Sequence, residues 1–169
     1  MSASQKLLDK YDARLKVPFA TLGIIASDTH LLQVHFLPKD IPAKAPKTNT
    51  VAHLASVQLM GYLDNPEFEF DLPLKLAGSK HQLDVWQAMR KIAPGKTQTY
   101  GELAANIDSS PRAVGTACGQ NPVPIVVPCH RVVAANGLGG FMGGRQSDPL
   151  AIKRWLLAHE APRKEASLF

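Results

Sequence analysis

The sequence predicts an α+β chain in two parts: a mixed α/β half over residues 1–78 and a largely helical half over residues 79–169. Two observations carry this. Apolar residues in the first half fall into β-rich and alternating runs around a single helical stretch. Those in the second half fall into short helical stretches that each begin at a capping residue. A chain of 169 residues can bury a real core and is one large domain or two small ones.

The elements follow in order. Phe19 to Ala26 and Leu31 to Leu37 are β-rich runs joined by Ser27-Asp28-Thr29-His30, which reads as a hairpin turn. Pro38 to Thr48 holds three prolines and three lysines and reads as a loop. Val51, Leu54, Ala55, Leu59, Tyr62 and Leu63 recur at helical spacing, with Asn49 or Thr50 as cap. Phe68, Phe70, Leu72 and Leu74 alternate with polar residues and proline, the pattern of a strand with one face buried. The first half carries no obvious chemistry and reads as scaffold. Ser79 and Gln82 form a capping box for a helix that buries Leu83, Trp86 and Met89 and stops at Pro94-Gly95. Tyr100 to Ile107 is a short helix. Ser110 then caps a second one with Pro111 at its first position. Two short helices across a tight turn resemble a helix-turn-helix. The final helix starts at Asp148-Pro149 and runs to about His159, and the tail from Arg163 reads as poorly ordered.

Composition excludes several classes. The chain has no long apolar run for a membrane span and no secretory signal in MSASQKLLDKYDARLK. Two cysteines without an export signal indicate free thiols in a reducing cytoplasm. Residues 1–78 carry eight basic and eight acidic residues, whereas residues 79–160 carry nine and five. The basic surplus lies in the half that contains Cys129, which weakly favours a polyanionic partner. The second helix of the turn is nearly bare, with Ala113, Gly115, Thr116, Ala117 and Gly119 behind Arg112. A bare helix packs closely against its own core or against a groove floor. It lacks the long polar side chains that read bases, so any DNA binding carries little sequence preference.

Pro128-Cys129-His130-Arg131 is the most informative segment. A free cysteine is more often an inert small hydrophobe than a nucleophile. Here a proline-framed approach, Asn121 to Val127, fixes the thiol, and cationic neighbours favour a thiolate. Adjacent residues of an extended segment point apart, so a water relay between Cys129 and His130 is expected rather than direct contact. Cys118, His53 and His81 read as structural, and Arg131 as the partner of an acid nearer the N-terminus.

The segments YGELA, SSPRAVGTACGQNPVPIVVPCHRVV and KRWLLAHE resemble those of the O6-alkylguanine-DNA alkyltransferases, closely over residues 79–160 and in outline before them. The resemblance implies an RNase H-like N-terminal part and a winged-helix-like C-terminal part. It implies base flipping in double-stranded DNA and a single irreversible alkyl transfer to Cys129, from O6-alkylguanine and, as an open further substrate, O4-alkylthymine. His130 would act as base through water and Glu160 would orient it, while Tyr100 would donate a proton and turn the phosphate. Asn121 would brace the turn. Arg112 would replace the flipped base, with Ala113, Gly115 and Thr116 against DNA. Val132, Phe141 and Met142 would line the base pocket, with the carbonyls of Val132 and Cys129 facing the guanine amino group. No cofactor and no metal are implied, and a monomer is expected. The loop Gly139 to Gly144 departs from the family's usual aromatic followed by Ser or Ala, so the bulk of Met142 is expected to narrow the alkyl pocket. About three extra residues are expected within Arg145 to Pro149. A damage sensor without transfer and a cysteine hydrolase remain open alternatives.

Overall fold

The computed structural model describes residues 2–142 and 148–162. Of the stretch Arg145 to Pro149, where about three extra residues are expected, residues 145–147 lie outside them, as does the tail from Arg163. The chain divides into two compact units, Met1–Ala77 and Gly78–Phe169.

The first unit is built on a three-stranded antiparallel sheet in the order β1-β2-β3, with β1 Ala13–Val17, β2 Ala20–Ala26 and β3 Leu31–Leu37. Central β2 is buried from Ala20 to Ile24, because a strand flanked on both sides and covered by a helix meets little water. Helix α2 (Val51–Asp64) supplies the cover by burying Ala52, Ala55, Ser56, Leu59 and Tyr62 at helical spacing. Thr50 is its cap, accepting the His53 N–H at 3.2 Å, and Asn49 turns the chain into that cap with φ 65°. At Gly23 a Cβ would fall 2.5 Å from the Tyr11 ring, so the strand needs glycine where Tyr11 crosses it.

Three features of this unit differ from the sequence expectation. Helix α1 (Ala3–Asp9) and strand β1 were not anticipated. β1 is an edge strand with Arg14 and Lys16 in its short run, a composition that shows little apolar signal. The expected strand over Phe68–Leu74 is extended but forms no ladder. Its only bridge joins Leu74 to Leu31. The burial alternation does hold, with residues 68, 70, 72 and 74 turned inward. The backbone bonds elsewhere: the Gln58 side chain of α2 donates to Asp71 O at 2.9 Å and accepts from Asp71 N at 2.8 Å.

In the second unit each helix start follows its capping residue. α3 (Lys80–Arg90) and α4 (Tyr100–Asn106) both open with complete capping boxes, Ser79/Gln82 and Thr99/Glu102. α5 (Pro111–Gly119) opens on Ser110, whose hydroxyl accepts Ala113 N–H at 3.2 Å. α6 (Pro149–Glu160) opens on Asp148. Val85, Trp86 and Met89 of α3, Leu103 of α4, Val114 and Ala117 of α5 and Leu156 of α6 make the core. Trp86 Nε1 donates to Ala117 O at 2.9 Å, tying α3 to α5. A two-stranded parallel pair, β4 (Gln98–Thr99) and β5 (Val132–Val133), joins the start of α4 to the segment behind Cys129.

Candidate active site

The loop from Asn121 to Pro128 is buried, so its backbone groups need internal partners. Asn121 supplies two of them: its Nδ2 donates to Val127 O at 2.7 Å and its Oδ1 accepts Val123 N–H at 3.0 Å. Val127 N–H closes on Val123 O at 2.9 Å. Proline at 122, 124 and 128 removes three further donors. Ile125 sits at φ 75°, a left-handed conformation that costs a β-branched residue on the order of 1–3 kcal/mol. The loop is held in one shape by bonds made within itself.

It delivers a single 3-10 turn, Cys129–Arg131, in place of the extended segment expected from sequence. The turn forms because Arg131 N–H reaches Pro128 O at 3.0 Å and Val132 N–H caps Cys129 O. Successive side chains of such a turn fan out by about 120°. Cys129 and His130 therefore still diverge, although for a different reason.

His130 is fully buried, and its Nε2 lies 2.7 Å from Glu160 Oε2. Burial is the main influence on its pKa and lowers it, against the pull of Glu160, so the ring is neutral. A carboxylate only accepts, so the proton of the neutral ring sits on Nε2. Nδ1 then carries a lone pair, and it is buried with no hydrogen-bond partner.

Glu160 closes α6 as a buried carboxylate, 6% exposed. Arg131 grips it with two bonds, Nε to Oε1 at 2.9 Å and Nη2 to Oε2 at 3.0 Å, and sends Nη1 to Ile92 O at 2.6 Å. The expected acid nearer the N-terminus is therefore not its partner. The final turn of α6 brings Glu160 to the 3-10 turn, and one carboxylate then serves both the arginine fork and the imidazole.

Arg131 also does not activate the thiol. Burial pushes Cys129 up to about 11, opposed by a hydrogen bond from Asn121 and by the positive charge of Lys153. The expected lowering by cationic neighbours fails because the arginine is spent on Glu160 and the imidazole is neutral. Lys153 is the cation that acts on Cys129, and the sequence reading missed it. Its ammonium donates to Val132 O at 2.7 Å, Leu138 O at 2.5 Å and Gly140 O at 2.8 Å, and burial lowers its pKa to about 8. A signal was present: Lys153 lies in register with Leu156 and Glu160 on the inward face of α6.

Cys129, Tyr100, Gly115, Phe141 and Met142 line one cavity of about 250 Å³, together with Cys118, Gly119 and Gly140. Tyr100 Oη donates to Gly140 O at 3.5 Å, and burial raises its pKa. The Tyr100 ring lies 3.8 Å from the point a Cβ on Gly115 would occupy. Val132 is buried and does not line the cavity. Its carbonyl and that of Cys129 each already accept one bond, from Lys153 and from Val132 N–H. Asn121, His130 and Glu160 are likewise not lining residues. On α5, Arg112 and Thr116 are exposed and Ala113 and Gly115 half-buried. Cys118 is buried, its Sγ 3.5 Å from Met89 Sδ, and its pKa is pushed up to about 12 by burial.

The site sets a buried thiol at a small pocket under an exposed helix face, next in sequence to a neutral imidazole held by a carboxylate. The chain resembles known proteins in sequence and in fold. Residues 80–162 match the family model of the 6-O-methylguanine DNA methyltransferase DNA-binding domain. A methylated-DNA–protein-cysteine methyltransferase of Mycolicibacterium paratuberculosis is 46% identical over 114 residues, 66% of each chain. One of Methanosarcina acetivorans is 36% identical over 157 residues, which is 89% of this chain and 97% of the relative. The crystal structure of Mycobacterium tuberculosis OGT in complex with DNA superposes with a TM-score of 0.74 at 34% identity, covering 88% of this chain and 93% of that one. The chain thus belongs to the methylated-DNA–protein-cysteine methyltransferase family.

Proposed function

We propose that this chain repairs O6-alkylguanine in duplex DNA by moving the alkyl group once and irreversibly onto Cys129. The observation that carries this reading is a neutral imidazole held by a fixed carboxylate, with its other nitrogen unpartnered, next in sequence to a buried thiol that lines a small pocket. The Cys129 thiol gives its proton through a water to His130 Nδ1 while Glu160 holds Nε2. Sγ then attacks the alkyl carbon, a C–S bond forms and the bond from that carbon to guanine O6 breaks. Tyr100, whose phenol keeps its proton because burial raises its pKa, donates toward the leaving purine. Asn121 steadies the thiol's loop.

The reaction needs the base outside the stack. Arg112, the exposed cation at the start of α5, fills the gap, and Ala113, Gly115 and Thr116 let the backbone approach the minor or major groove wall without reading bases. Phe141 and Met142 bound the base. Val132 and Cys129 each keep a second carbonyl lone pair for the guanine amino group. The DNA-bound relative supports DNA as the partner. We assign a monomer acting in the cytoplasm, where its two cysteines stay reduced.

A hydrolase would release the alkyl group, and a sensor would bind without transfer. The fate of the alkyl group, kept on the protein or released to solution, separates the hydrolase, and Cys129→Ser separates the sensor. Retained affinity for an O6-methylguanine duplex with transfer abolished is the expected result; repair at the unaltered rate would overturn the proposal.

A further inference from the structure

One wall residue faces the acceptor sulfur. Met142 Sδ lies 3.8 Å from Cys129 Sγ, with the thiol donating toward the thioether. We infer that Met142 sets the largest alkyl group Cys129 accepts and holds the chain to methyl and similarly small groups. This rests on the alkyl-transfer reading above.

Displacement at carbon aligns the incoming sulfur, the carbon and the leaving oxygen. Any substituent larger than hydrogen on that carbon projects sideways, close beside Sγ. In this protein that space is occupied by the Met142 thioether. The cavity of about 250 Å³ is smaller than the roughly 300–1,000 Å³ of pockets that take drug-sized ligands, and the purine must share it with the alkyl group.

The other described walls offer little space to compensate. On the α5 side Gly115 and Gly119 are already without side chains, and Cys118 is backed by Met89 at 3.5 Å. On the loop side two carbonyls are held by neighbouring side chains. Gly140 O accepts from both Lys153 and Tyr100, and Leu138 O accepts from Lys153. Met142 itself sits at φ 51°, a conformation that leaves little backbone freedom. The bulk of its side chain therefore converts directly into lost pocket volume. Methionine has flexible torsions and yields to a small group, but it does not vanish.

The test compares transfer from duplexes bearing O6-methylguanine and O6-benzylguanine to the full chain, read as intact mass against time. A benzylic carbon is intrinsically the more reactive in displacement, so slower benzyl transfer reports crowding. The unaltered chain is expected to transfer benzyl at least about tenfold more slowly than methyl, as crowding by a few atoms in a fitted pocket implies. Met142→Ala and Met142→Gly are each expected to raise the benzyl-to-methyl ratio about tenfold, and Met142→Leu to leave it near the original. Taking the ratio within one protein cancels partial unfolding, and glycine suits the left-handed backbone should alanine misfold. A ratio unmoved in both variants, or benzyl as fast as methyl in the unaltered chain, overturns the inference and leaves the acceptor role standing. No methyl on Cys129 in any of the proteins overturns both.

Discussion

Burial decides the protonation of Cys129 before any neighbour does. With its pKa pushed up to about 11, the residue is a thiol at neutral pH. A nucleophile of that kind has to be deprotonated during the reaction, which places the weight on His130. The Glu160 bond fixes the imidazole tautomer, and burial holds its pKa below the ordinary value of about 6.5. The base is therefore already neutral from about pH 6.5 upward. Single-turnover transfer is expected to be level between about pH 6.5 and 7.5, below the pKa of about 8 at which Lys153 gives up its charge, and to fall below that window as His130 gains a proton. A rate climbing about tenfold per pH unit across the window would mean that a spontaneously formed thiolate reacts and that the relay plays no part. At this scale the resemblance singled out Cys129, His130, Asn121 and Glu160, and the structure buries all four and joins His130 to Glu160. The sign of the thiol shift was not legible in the sequence, because local sequence places cations near Cys129 but cannot say which charges are already paired. Arg131 was paired; Lys153, remote in sequence, was the one that mattered.

Among the elements, α5 carries the clearest test of what its bareness is for. A Cβ on Gly115 would meet only the Tyr100 ring, at 3.8 Å, an ordinary contact. The protein's own packing thus has room for alanine there. Gly115→Ala is expected to raise the melting temperature by about 2–4 °C, since alanine is worth up to about 1 kcal/mol over glycine inside a helix. The same change is expected to weaken duplex binding about tenfold, the cost of about 1.4 kcal/mol when a methyl group intrudes on a close contact. Lost stability with unchanged affinity would return the helix to a purely internal role. Elements with strong boundary chemistry were the legible ones: Thr50, Ser79, Ser110 and Asp148 each begin the helix expected of them. Phe68–Leu74 was misread because alternation reports one buried face and not the backbone partner: the segment meets the open edge of β3 only at Leu31, and Asp71 bonds to the Gln58 side chain instead. β1 was missed for the converse reason: it has an edge position but a weak apolar signal. The 3-10 turn at Cys129 depends on bonds to Pro128 and Val132 that residue types alone do not announce.

For the whole molecule, the chain divides into a sheet-based unit and a helical unit, a change also visible in the apolar period, and every residue of the proposed site lies in the second. A consumed acceptor has a structural consequence. Cys129 is 4% exposed and in contact with Met142, so an added alkyl group must displace packed atoms. Overpacking of this kind costs about 1–3 kcal/mol, and the alkylated protein is expected to melt about 2–10 °C below the unreacted one. Equal melting temperatures would show that the pocket holds the product without strain. All of this depends on where the alkyl group finishes, and intact-protein mass after incubation with an O6-methylguanine duplex reads that directly. The expected result is a gain of one methyl group per chain, mapped to Cys129 and saturating at one equivalent. An unchanged mass with the methyl group released to solution, or a methyl group on any other residue, would contradict it.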